Sequence, residues 1–275
     1  MRQRALPILA CTILLVVACG PTASGGAQSQ TPGQVTSTAI SPWKPSAIVS
    51  WQIQYTALPV DLSVDAQVYD SDLFTTDVET IAALHGKGRN VVCYFSAGSY
   101  EPYRPDSGQF SADVRGKPIE GFADEQWLDI RRLEILGPIL RARLDLAVQR
   151  GCDGVDPDNV DGYSNNTGFP LTAQDQLAFN RWLAQEAHLR GLAVFLKNDG
   201  DQVNQLVDRF DGAVVEQCFE YDECDQYVPF VAAGKPVFEI EYNRAPDTFC
   251  DQANALNFNS LYKHLSLDAY RVPCR

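Results

Sequence analysis

Basic residues are scarce. Lys and Arg number 22 against 35 Asp and Glu, a formal net charge of −13 over 275 residues. Phosphate contacts need a basic surface, so this balance argues against nucleic acid and against anionic membrane surfaces as partners. It leaves room for a neutral or cationic ligand. Histidine is scarcer still: His85, His188 and His264 are scattered, and none lies in a His-Glu-x-x-His pattern, so a zinc site is not expected. The cysteines include no Cys-x-x-Cys pair, which makes a redox or zinc reading poor. Neither a Gly-x-Ser-x-Gly elbow nor a Walker loop is present. Asp156-Pro-Asp158-Asn-Val-Asp161-Gly162 has the look of a calcium loop but fails its register, because the fifth position is Val160 and the twelfth is Thr167. No metal or cofactor is expected. Long apolar runs are absent from the main body, so it is not expected to span a membrane.

The one apolar run is Ala5 to Ala18, preceded by Arg2 and Arg4, which reads as an export signal over residues 1–18. Its end, Leu15-Val16-Val17-Ala18-Cys19, resembles the bacterial lipobox. That resemblance implies cleavage before Cys19, lipidation of Cys19, and a membrane anchor through the lipid. The expected location is the bacterial cell surface or outer leaflet. Residues 19–45 are rich in Gly, Pro, Ser, Thr and Gln, with Lys44 the one charge, and read as a flexible tether. A single folded domain is expected over 46–275, about 230 residues, within the range of one α/β barrel. Six cysteines belong to it. Cys218 and Cys224 bracket a short turn, and Cys250 and Cys274 bracket the C-terminal segment. Cys93 and Cys152 fall in or beside expected strands and read as buried thiols.

Strand-like and helix-like segments alternate through this domain. The expected strands are Trp51–Tyr55, Ala66–Asp70, Asn90–Ser96, Trp127–Ile130, Gly154–Asp158, Ala193–Asn198, Ala213–Gln217 and Val237–Tyr242. Helical periodicity covers 77–85, 137–150, 173–190 and 202–210, with Thr172 and Asp175 placed for a capping box. Gly88, Gly151, Gly191 and Gly234 each fall between a helical stretch and a strand, where a left-handed residue stops a helix. The repetition implies βα units and a mostly parallel sheet, and eight strands imply a (β/α)8 TIM barrel. A doubly wound open sheet ranks second, because no Gly-x-Gly-x-x-Gly follows the first strand.

Active sites of such barrels form at the C-terminal strand ends. Here those ends carry Tyr55, Asp70, Asp72, Tyr94, Ser96, Asp129, Asp156, Asp158, Asp161, Lys197, Asn198, Asp199, Glu216, Glu239, Glu241 and Tyr242. One acid at a strand end is ordinary. So many around one mouth repel each other and need a cation, raised pKa values or a cationic ligand. With metal, thiol and serine chemistry disfavoured, carboxylate chemistry remains. Glycoside hydrolysis needs two carboxyl groups flanking one bond. Asp156 and Asp158 alternate by two, as do Glu239 and Glu241, so each pair shares one side of its strand.

Gly154-Val-Asp-Pro-Asp-Asn-Val-Asp-Gly-Tyr163, Leu196-Lys-Asn198, Val215-Glu-Gln-Cys-Phe-Glu-Tyr221 and Gly234-Lys-Pro-Val-Phe-Glu-Ile-Glu-Tyr242 resemble glycoside hydrolase family 114. So do Trp51–Tyr55, Tyr94–Gly98 and Trp127–Arg131, in the same order along the chain. The resemblance implies a (β/α)8 barrel that cleaves α-1,4-linked galactosamine polymers within the chain. It implies a carboxylate pair at Asp158 and Glu216, with Asp158 as nucleophile or base and Glu216 as general acid. Asp156 is the substitute candidate. Asp70, Tyr94, Lys197, Asn198 and Glu241 map to motif positions at strand ends and are expected to contact substrate. The polymer, once deacetylated, is polycationic and suits an acidic protein. Two other readings stand beside this one: a non-catalytic surface lipoprotein that captures amino-sugar polysaccharide, and a hydrolase of another glycan on the same fold.

Overall fold

The computed structural model describes residues 42–275. The expected signal peptide, Cys19 and most of the tether lie outside the described residues. Within the stretch expected to be tether, the Trp43 ring packs 6.3 Å from that of Phe195.

The described residues form twelve strands: β1 (Trp51–Gln54), β2 (Val68–Asp72), β3 (Asn90–Ser96), β4 (Ser99–Tyr100), β5 (Arg115–Ile119), β6 (Phe122–Leu128), β7 (Gly154–Asp158), β8 (Ala193–Lys197), β9 (Gly212–Glu216), β10 (Val237–Glu241), β11 (Asn259–Tyr262) and β12 (Val272–Pro273). Nine of them form one sheet in the order β1-β2-β3-β7-β8-β9-β10-β11-β12, parallel except for β12. The helices are α1 (Val78–His85), α2 (Leu133–Arg150), α3 (Ala173–His188), α4 (Val203–Leu206), α5 (Val228–Ala232) and α6 (Cys250–Ala255). Gly88, Gly151, Gly191 and Gly234 all adopt positive φ, so the glycine at each helix-to-strand junction makes a turn that a side chain would strain. Thr172 and Asp175 form the expected capping box of α3.

The side-chain period of two sorts the sheet into faces. Trp51, Ile53, Val68, Val92, Phe195, Val214, Phe238, Ile240 and Leu261 come from seven strands yet pack in one cluster. A sheet whose first and eighth strands share a cluster must curl, and these residues line its inner face. Tyr69, Val91, Cys93, Phe95, Val155, Val194, Leu196, Ala213, Val215 and Val237 form the outer face, packed with residues of the helices. Among the described residues β1 and β11 share no backbone ladder. Side chains make the link instead: Trp51 Nε1 donates to Asn259 O at 2.7 Å, and Lys263, the residue after β11, donates its Nζ to Ile53 O at 2.7 Å.

Two expectations are corrected. Trp127 and Leu128 end β6, which belongs to a three-stranded antiparallel sheet, β4-β6-β5. The eighth parallel strand is β11, a four-residue Asn-Ser-Leu-Tyr segment with too short an apolar run to announce itself. Cys93 and Cys152 are not free thiols but a disulfide, alongside Cys218–Cys224 and Cys250–Cys274. They meet because β3 pairs directly with β7, in register Val92 to Gly154.

Candidate active site

Six of the eight expected site residues meet at the C-terminal ends of β2, β3, β7, β8 and β9. Lys197, buried at the end of β8, is their hub. Its Nζ lies 3.4 Å from Asp156 Oδ2, 3.7 Å from Asp158 Oδ2 and 3.5 Å from Glu216 Oε2, with the Tyr94 ring 5.4 Å away. Tyr94 Oη donates to Asp158 Oδ2 at 3.1 Å. Tyr55 lies 4.3 Å from Tyr94, ring to ring, and its hydroxyl faces Asp70 Oδ1 at 3.1 Å and Asp156 Oδ2 at 3.3 Å. Tyr242 Oη donates to Glu216 Oε1.

Local sequence explains the placement. The ladder between β7 and β8 stops at Val155, and Pro157 has no N–H to extend it. The chain then turns through left-handed residues directly after three strands: Asn159 (φ 60°), Asn198 (φ 50°) and Gln217 (φ 60°). Two of these are Asn, which tolerates that region better than most residues. Asn198 also accepts the Glu216 N–H on its Oδ1 at 3.0 Å, which fixes the end of β9.

Exposure separates the carboxyl groups. The side chains of Asp158 and Glu216 are 20% and 26% exposed, whereas Asp156 is 0% exposed and Asp70 is buried behind it. Burial pushes Asp156 up to about 7, against the opposing pull of Lys197. Burial, with the neighbouring Asp156, also raises Asp70 well above the usual carboxylate range. The contacts agree, since one phenolic proton on Tyr55 cannot serve two carboxylates. The second hydrogen bond needs a proton on Asp70 or Asp156. Burial would raise Glu216 too, but Lys197 and the Tyr242 hydroxyl outweigh it and hold Glu216 below its ordinary value. Lys197 stays charged: burial opposes the charge, and Asp156, Asp158 and Glu216 prevail.

Glu241 does not join this network. Glu239 and Glu241 alternate with Phe238, Ile240 and Tyr242, which face inward, so the two glutamates lie on the outer face of β10. Glu241 Oε1 accepts the N–H groups of Phe219 (2.8 Å) and Glu220 (3.2 Å), which fixes the loop after β9. Asp129, another acid expected at a strand end, is taken up by a two-pronged ion pair with Arg131 at 2.7 and 2.8 Å. Tyr55 and Tyr242 were expected at strand ends without an assigned role. Their hydroxyls prove to hold the carboxyl groups, and the signal was available: Tyr242 is two residues beyond Ile240 on the inward parity.

The arrangement offers two solvent-reached carboxyl groups tied to one buried cation, with further carboxyl groups sealed beneath. Known proteins resemble this chain. A solved structure of Aspergillus fumigatus Ega3 in complex with galactosamine is 41% identical, covering 85% of this chain and 98% of that one, with a TM-score of 0.82. The glycoside hydrolase domain of PelA from Pseudomonas aeruginosa shares the fold at 15% identity, covering 81% of this chain and 97% of that one, with a TM-score of 0.65. An uncharacterized protein of Deinococcus radiodurans is 26% identical over 281 residues, covering 86% of this chain and 89% of that protein. The sequence model of glycoside hydrolase family GH114 matches residues 33–275, and the chain belongs to that family: it is a glycoside hydrolase.

Proposed function

We propose that this enzyme cleaves α-1,4-linked galactosamine-containing polysaccharide within the chain, with Asp158 and Glu216 as its working carboxyl groups. The observation that carries the pairing is exposure: of the four carboxyl groups in the network, these two are the ones solvent reaches. Both lie within 3.7 Å of one nitrogen, which caps the separation of the facing oxygens at about 7 Å, below the upper limit of about 9.5 Å for two-carboxylate glycosidases. Asp156 and Asp70 then act as supports, and Lys197 positions the pair. In this reading the curled sheet works as a (β/α)8 barrel, its first and eighth parallel strands joined by side chains. The galactosamine bound by the Aspergillus relative and the acidic surface of this chain favour a cationic amino-sugar polymer. Export and anchoring through Cys19 would bring the enzyme to such a polymer at the cell surface. Family membership favours an enzyme over a capture lipoprotein.

The resemblance makes Asp158 nucleophile or base and Glu216 acid. One observation favours the exchange of these roles: Lys197 and Tyr242 hold Glu216 ionised in the free site, which suits a base or nucleophile. The substrate is tested by reducing-end release from α-1,4-galactosamine polymer beside N-acetylated and glucosamine polymers. Preference for the galactosamine polymer is expected. Equal or better release from a glucosamine polymer overturns the assignment of substrate.

A further inference from the structure

A cavity of about 300 Å³ opens beside Glu216, and its wall also carries Asp161, Asp199, Asp201 and Glu223. Among the described residues no Lys, Arg or His lines it. The ion pair that reaches its edge is Lys197 to Glu216, at 3.5 Å. Acids gathered on a loop are common, and a solvated cluster needs no ligand. Asp199 is different. It is 5% exposed, and its Oδ1 has no partner on the protein.

The other oxygen of Asp199 is held by a relay built into α3. Gln176 Nε2 donates to Asn180 Oδ1 at 2.9 Å, and Asn180 Nδ2 donates to Asp199 Oδ2 at 2.8 Å and to Val160 O at 2.9 Å. Both amides are fully buried. A helix face that carries two amides where apolar side chains would pack forgoes hydrophobic stabilisation. What it secures here is the position of one carboxyl group. Asp199 itself sits at φ 55°, a left-handed conformation that costs an Asp free energy. The facing wall is fixed as well. A Cβ on Gly200 would come within 1.6 Å of Gln226 Oε1, so the chain there closes directly on the 3-10 turn Cys224–Tyr227. The Cys218–Cys224 disulfide ties that turn, with Glu223, to the end of β9.

A deacetylated galactosamine unit presents an ammonium group, and a carboxyl-lined cavity without a cation of its own recognises that group. We propose that this cavity is an amine-reading subsite, in which Asp199, with Asp201 and Glu223 at its rim, binds the ammonium of a sugar unit neighbouring the bond that is cut. The inference rests on the galactosamine reading above and adds the residues that distinguish free amine from acetamide. A neutral acetamide leaves the carboxyl groups unpaired, which is the strongest ground for discrimination a polar site has. Burial pushes Asp199 up to about 8, Asp161 adds to the rise, and the Asn180 hydrogen bond opposes it. An arriving ammonium favours the ionised form, so binding at neutral pH releases a proton.

The test uses Asp158→Asn, whose altered carboxyl lies outside this cavity, titrated calorimetrically with α-1,4-galactosamine oligosaccharide and with its N-acetylated counterpart. Adding Asp199→Asn, or the exposed Glu223→Gln where folding is not at stake, is expected to weaken the deacetylated ligand more than the acetylated one by about tenfold, the range set by a charged hydrogen bond. The proton release, read in buffers of different ionisation heat, is expected to vanish with Asp199→Asn. Equal weakening of both ligands, or none, overturns the subsite while leaving the hydrolase reading intact. Failure of Asp158→Asn to bind either ligand, with no reducing ends released by wild type, overturns the substrate reading and the subsite with it.

Discussion

Replacing Lys197 with Met removes the one cation among three carboxyl groups at 3.4 to 3.7 Å. At an effective dielectric near 20, each such pair is worth about 4 to 5 kcal/mol of Coulomb attraction, offset by the desolvation of both partners. The net cost of stranding buried charges is about 3 to 5 kcal/mol when one partner is removed. That cost depends on pH in a definite direction. Without Lys197, Asp156 and Glu216 both rise, because the ammonium is what pulls them down. A carboxyl whose folded pKa exceeds its unfolded value contributes stability at low pH that is lost as pH climbs through the folded pKa. At pH 5 Asp156, at about 7, already carries its proton, so fewer charges are stranded than at pH 8. Urea unfolding of wild type and Lys197→Met at the two pH values is the assay. A loss of about 3 to 5 kcal/mol at pH 8 and a clearly smaller one at pH 5 are expected. A loss of the same size at both, or none at pH 8, would refute the view of Lys197 as the buried counter-ion of the site.

Tyr242→Phe removes a hydrogen bond that helps hold Glu216 down, so Glu216 rises. If Glu216 works ionised, the acid limb of the rate profile moves to higher pH; if it works as the acid, the alkaline limb does. A profile with both limbs unmoved contradicts either role. Opening the Cys93–Cys152 disulfide, whose partners are 59 residues apart, is expected to cost about 4 kcal/mol by loop-closure entropy. A Cys93→Ala/Cys152→Ala protein with unchanged urea midpoint would show that the packing of β3 on β7 suffices alone. Asp199 at about 8 carries its proton when folded and must ionise while buried as pH rises. Asp199→Asn is therefore expected to raise the urea midpoint at pH 9 more than at pH 5, and an equal change at both pH values speaks against the raised pKa.

The strands that sequence named best are those whose apolar residues make up the inner cluster and the outer face: Asn90–Ser96, Gly154–Asp158 and Val237–Glu241. Two features hid the rest. β11 is too short for its pattern to rise above a loop, and Trp127-Leu-Asp-Ile has the same look at the end of an antiparallel ribbon as in a barrel strand. Carboxyl groups at strand ends were legible as a class, yet which of them meet is a question of parity. Asp156, Asp158, Lys197 and Glu216 share the inward face, while Glu239 and Glu241 do not, although Phe238, Ile240 and Tyr242 already marked the inward register. Partners far apart in the chain were beyond reach of local pattern. Arg143, on α2, is buried, donating to Ser96 O at 2.6 Å and pairing with Asp106 at 2.7 Å, and no local pattern announces either partner. The Asn180 relay to Asp199 is of the same kind.

In the proposed function Asp158 and Glu216 together cut a galactosamine polymer. Reducing-end release from partly deacetylated α-1,4-galactosamine polymer, wild type beside Glu216→Gln, tests it most directly. Release by wild type is expected, with a loss of about a hundredfold or more in the variant, whose amide neither holds nor accepts the reacting proton. Comparable release by both proteins would contradict it.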